Sequence, residues 1–66
     1  MTEKMKGREV IFEFKPVGSI MRVTAVDTTT MTEVVVQCPA SAGETMFKHQ
    51  GLMRLEYVLR KNGHIA

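Results

Sequence analysis

Three side chains in this sequence are of a type that could do covalent or acid–base chemistry: Cys38, His49 and His64. A cysteine nucleophile needs a base within hydrogen-bond reach and an electropositive setting that favours the thiolate. Cys38 instead ends an alternating apolar run, immediately before Pro39. That is the position of a small core side chain. His49 falls on the polar side of a helical segment, and His64 stands among the last residues. Neither spacing sets a base beside the thiol. One cysteine rules out an internal disulfide and the zinc sites built on cysteine pairs. Two histidines far from other ligand types make no metal cage. The expectation is no catalytic residue, no metal, no cofactor and no enzyme.

The elements that position these residues follow from two hydrophobic periods. From Arg8 to Lys15 the alternation is clean, with Val10, Phe12 and Phe14 on one face and Glu9, Ile11, Glu13 and Lys15 on the other. Aromatic and β-branched residues at period two mark a strand. Pro16-Val17-Gly18 supplies turn residues. A second strand is predicted from Ser19 to Asp27, with Met21, Val23 and Ala25 opposed to Ile20, Arg22, Thr24 and Val26. Asp27-Thr28-Thr29-Thr30-Met31 closes a second hairpin. Thr32 to Cys38 forms the third strand, with Val34, Val36 and Cys38 opposed to Glu33, Val35 and Gln37. Pro39 has no donor for a ladder and is expected to end it.

Beyond Pro39 the period becomes helical. Ser41-Ala42-Gly43-Glu44 has the Ser-x-x-Glu pattern of a capping box, in which the Ser41 hydroxyl and the Glu44 carboxylate each accept from the other's backbone N–H. The helix is predicted over about Ala42 to Lys61 and to stop at Asn62-Gly63. Phe47, Leu52, Leu55, Val58 and Leu59 share one broad apolar arc, with Lys48 and Gly51 inside it. Gly51 costs about 1 kcal/mol against alanine in a helix interior, which a close approach to the sheet would explain. Arg60 and Lys61 in the last turn complement the helix dipole. The predicted fold is α+β: a three-stranded antiparallel meander, then one C-terminal helix packed on one face. Residues 1–7 are expected to be a disordered arm, 8–62 a single βββα domain and 63–66 a frayed tail.

Two apolar features exceed what that fold can bury. Met46, Met53 and Tyr57 form a second stripe nearly opposite the main helical arc. Ile11, Ile20, Val26 and Val35 lie on the sheet face turned away from the helix. Single exposed apolar residues are ordinary, but seven in two groups point to a protein–protein interface. Chain length supports this. Sixty-six residues bury only about 60% of the surface their unfolded chain exposes. Small folds compensate with disulfides, metals or association. Only association remains, and a homodimer or higher oligomer is expected, with Met53 and Tyr57 as anchors and the outer sheet as the other surface.

Nucleic acid is the alternative partner, since three-stranded sheets with a helix also read DNA. Phosphate binding needs clustered Lys and Arg. On the outer sheet face, Lys15 and Arg22 are outnumbered by Glu9, Glu13 and Glu33. Lys4, Lys6 and Arg8 in the arm, with Arg54, Arg60 and Lys61 on the helix, could form only a weak patch. Ordinary solvated charge is the better reading of a formal net charge of +2. The N-terminus lacks the apolar stretch of a signal peptide. No run approaches the roughly 20 apolar residues of a membrane helix. With a free cysteine, these place the protein in the cytoplasm, away from membranes.

Gly7-Arg8-Glu9-Val10, Phe12-Glu13-Phe14 with Pro16-Val17-Gly18, Val23-Thr24-Ala25-Val26-Asp27, Thr32-Glu33-Val34, Pro39-Ala40 and Arg54-Leu55-Glu56-Tyr57-Val58-Leu59 together carry a resemblance. The chain resembles a family of small uncharacterised alphaproteobacterial proteins over most of residues 7 to 61. Members often have Thr-Gly where this chain has Thr30-Met31, and a glycine at the position of Cys38. The resemblance implies no activity and supplies no catalytic residues.

Overall fold

Period-two alternation and two short reversals build the sheet. In the computed structural model, which describes residues 7–66, β1 (Val10–Val17), β2 (Ile20–Asp27) and β3 (Thr32–Pro39) pair antiparallel in the order β1-β2-β3. A 3₁₀ turn (Ala40–Ala42) leads into α1 (Glu44–Lys61), which packs on one face of the sheet. The expected βββα architecture is therefore the one that forms. Apart from Gly7, the arm expected over residues 1–7 lies outside the described residues.

Register fixes which side chains share a face. The rows Val10–Asp27–Thr32, Phe12–Ala25–Val34, Phe14–Val23–Val36 and Pro16–Met21–Cys38 point towards the helix. From α1, Phe47, Gly51, Leu55 and Leu59 meet them at four-residue spacing, one helical ridge. Val23, Ala25, Leu55 and Leu59 are fully buried. Gly51 marks the closest approach: a Cβ there would lie 3.2 Å from Phe12 Cε1 and 3.4 Å from Val23 Cγ1. The helical glycine is thus accounted for by packing.

Pro16 sits differently from the expectation, inside β1 and not in a turn, whereas Pro39 is the last residue of β3 and ends it as expected. The first reversal is the two-residue Gly18-Ser19 loop, because Val17 pairs with Ile20. Gly18 has φ +60° and Ser19 does not have positive φ, the pattern of a type II′ turn with glycine at its first central position. The ladder explains why the prolines fit. Thr28 N donates to Glu9 O at 3.1 Å, and Ala40 N donates to Ser19 O at 2.8 Å. Hydrogen-bonding pairs alternate along an antiparallel ladder. Pro16 and Pro39 therefore turn their missing N–H to the free edges of β1 and β3, where no ladder bond is lost.

The helix start also departs from the expected capping box. Gly43, at φ +95° and ψ 162°, is the N-cap, and no side chain caps the helix. Ser41 belongs to the preceding 3₁₀ turn. The chain must turn sharply from the edge strand onto the inner face, and only glycine adopts that backbone readily. Ser41 is therefore held one corner away from the helical N–H groups. Glu44 is the first helical residue rather than the third, and its carboxylate pairs with Lys48 at 3.1 Å.

The C-terminus is tied down rather than frayed. Gly63 N donates to Arg60 O at 3.1 Å and His64 N to Leu59 O at 2.8 Å, with Gly63 at φ +82°. This is a Schellman motif, and Asn62-Gly63 stops the helix as expected. Ile65 then packs against the cluster of Ala25, Val34, Leu55 and Leu59.

Candidate protein-interaction surfaces

Seven residues were singled out from the sequence, and the fold places them on two opposite sides. Met46, Met53 and Tyr57 lie on the side of α1 turned away from the sheet, 43%, 48% and 50% exposed. They form one stripe because residues four and seven apart share a helical face. Gln50 Nε2 donates to Met46 Sδ at 3.6 Å. The Arg54 guanidinium lies 5.4 Å from the centre of the Tyr57 ring, a cation–π contact. At 100° per residue, Arg54 and Lys61 flank the stripe on one side and Arg60 on the other. The two carboxylates of α1 lie elsewhere: Glu44 pairs with Lys48, and Glu56 is buried, 3.7 Å from Arg60. The stripe is apolar with a basic rim.

The second surface is the outer face of the sheet. Its rows are Ile11–Val26–Glu33, Glu13–Thr24–Val35, Lys15–Arg22–Gln37 and Val17–Ile20–Pro39. Ile11 is 55% exposed, Ile20 and Val35 are each 40% exposed, and Val26 is half-buried. Ile11, Val26 and Val35 are close together at one end. Glu13 and Glu33 border them, and Glu9 continues the same alternation beyond Ile11. A shallow depression there is lined by Ile11, Glu13, Thr24, Val26 and Glu33. Ile20 lies at the other end with Val17, itself 55% exposed, and Pro39. Neither reads as sheet surface from the sequence, because Pro16-Val17-Gly18 has turn residues and Pro39 marks a strand end.

A polar cluster at the end of the inner face was also missed. Arg8 Nη1 donates to Asp27 Oδ2 at 2.8 Å, and Asp27 is fully buried. The same oxygen accepts from Thr30 N at 3.2 Å and from the Thr30 hydroxyl at 2.7 Å. With that proton committed, Thr32 Oγ1 is the donor in its 2.7 Å contact with Thr30 Oγ1. Arg8 Nη2 reaches His64 O at 3.2 Å, joining the start of β1 to the C-terminal tail. Burial pushes the Asp27 carboxyl up, but the Thr30 hydroxyl and N–H, the Arg8 guanidinium and the Thr29 N–H outweigh it, and the pKa lies below its ordinary value. Asp27 follows Met21, Val23 and Ala25 at period two, which was the available signal.

The residues first considered for chemistry are dispersed. Cys38 is buried with Val23 and Phe47 at one end of the sheet. His64 stands at the other end, and His49 is exposed on α1. Among the described residues, no three His, Cys, Asp or Glu side chains are grouped as a metal site. None of the described helices is long and apolar enough to cross a membrane.

Residues 7–62 match the family described as a domain of unknown function, DUF6898. The chain belongs to that family. In this DUF6898 chain the match runs from the residue before Arg8 to the C-cap of α1, so it takes in all three strands and the helix. No curated protein and no solved structure matches the chain.

Proposed function

We propose that this chain is a small, non-enzymatic, cytoplasmic module of alphaproteobacterial origin that acts through protein–protein contacts and self-associates as a homodimer or higher oligomer. The observation that carries the reading is the placement of Met46, Met53 and Tyr57, each exposed by 43% or more on a helix face that the fold leaves uncovered. Ile11, Val17, Ile20 and Val35 on the opposite side support it, since one small domain has two apolar surfaces. Burying such area contributes about 25 cal/mol per Å², a useful addition to a thin core.

The nucleic-acid alternative loses donors to intramolecular contacts. Arg8 is held by Asp27, Arg60 lies beside Glu56 and Arg54 stacks on Tyr57. Affinity for generic duplex DNA, titrated against salt, tests the choice. The protein-contact reading expects weak binding with a shallow salt slope. A steep slope, as several phosphate contacts would give, favours the alternative.

A further inference from the structure

The helix stripe has a basic rim, while one end of the outer sheet face is acidic and the row beyond it carries Lys15 and Arg22. On the helix, Met46, Met53 and Tyr57 are flanked by Arg54, Arg60 and Lys61. On the outer sheet, Ile11, Val26 and Val35 are bordered by Glu13 and Glu33, with Glu9 beyond. A two-fold contact pairs a patch with itself. On the helix stripe, whose rim charges are all basic, it offers no opposite charge, whereas on the sheet face it can set the glutamate end only against Lys15 and Arg22 of the same surface. A head-to-tail contact sets basic against acidic.

We infer that copies of this chain associate head to tail, the Met46–Met53–Tyr57 face of one docking on the outer sheet face of the next. The occupant of each surface is a second copy of the same chain, so the inference rests on the self-association proposed above and specifies its geometry. Lengths agree. Met46 to Tyr57 spans about 16 Å at a rise of 1.5 Å per residue. The outer-face rows from Ile11 to Val17 span about 20 Å at 3.3 Å per residue.

Charge sets the direction. Tyr57, Arg54 and Lys61 belong over Ile11, Val26 and the glutamates, which leaves Met46 over Val17 and Ile20. The chain's own helix runs the same way on the inner face, with Phe47 at the Val23–Cys38 end and Leu59 at the Ala25–Val34 end. Successive copies are therefore related mainly by translation along the sheet normal. Such a contact does not close, and the assembly grows with concentration.

The test is complementation between two variants of the full chain. Tyr57→Glu disables the helix face and leaves the sheet face intact. Ile11→Lys disables the sheet face and leaves the helix face intact. Each variant alone is expected to have the 7.4 kDa mass of the monomer. An equal mixture is expected to give twice that mass and to stop there, because each partner has one working face. Recovery on mixing also shows that both variants are folded. If the wild type associates and either variant alone associates equally well, or if the mixture stays at the monomer mass, the head-to-tail contact is wrong and self-association stands. A wild type that stays monomeric overturns both.

Discussion

The Arg8 guanidinium and the Asp27 carboxylate meet at 2.8 Å across 19 residues of sequence, and Asp27 has no exposed surface. They close the end of the sheet where the start of β1, the β2–β3 turn and the C-terminal tail converge. Removing one member of a buried pair leaves the other charge unpaired, which costs more than removing both. Arg8→Met should therefore lower stability by about 2–3 kcal/mol, since Thr30 still donates to Asp27. Adding Asp27→Leu should recover part of that loss. Urea midpoints of the two singles and the double form the cycle. A double variant whose loss equals the sum of the two single losses would show that the two residues do not interact.

The same carboxylate sets a pH dependence. Its folded pKa is held below the ordinary value of 3.8. A group depressed in the folded state binds its proton more readily when unfolded, so its contribution is present above the unfolded value. It is lost as pH falls through the lower folded one. Stability should hold from neutral pH to about 5 and decline below 3.8. Asp27→Asn should be less stable at neutral pH, and its curve should converge on the wild type in acid. Parallel curves would remove Asp27 from the acid limb.

Helix entry should depend on Gly43 and not on Ser41. Gly43→Ala forces a side chain into φ +95°, ψ 162° and should cost about 1–3 kcal/mol. Ser41→Ala touches no helix cap and should stay within about 0.5 kcal/mol. Thermal midpoints by circular dichroism separate them. A reversed order would restore the capping box.

Met31 is the one non-glycine residue with positive φ among the described residues, at +57°, and its side chain is exposed. L-residues pay about 1–2 kcal/mol in this region, while glycine loses more backbone entropy on folding. Met31→Gly should stabilise by about 0.5–1 kcal/mol, read from the urea midpoint. A destabilised variant would mean that the Met31 side chain makes contacts of its own.

How far the sequence could be read follows the physics of each signal. Alternation is dictated by the pleat, so the inner and outer faces and their residues were legible. The turns were less so. Gly18-Ser19 is a hairpin signal, but Pro16 drew attention to the wrong side of it, because proline reads as a break unless its strand is known to be an edge. Ser41 and Glu44 had the right spacing for a cap, yet backbone geometry at Gly43 outranks a side-chain pattern. Asp27 looked like a turn residue, because the Arg8 that neutralises it is adjacent only once β1 and β2 are in register. The apolar residues of the two surfaces were identifiable one by one. That they lie on opposite sides, the basic rim of one across the molecule from the glutamate end of the other, depends on which face the helix covers.

Self-association is most directly tested by light scattering of the wild-type chain over a concentration series reaching tens of micromolar. Head-to-tail association gives a weight-average mass that rises above 7.4 kDa with concentration, without levelling at twice that value, and that falls as salt screens the rim charges. A mass that stays at 7.4 kDa throughout would contradict it.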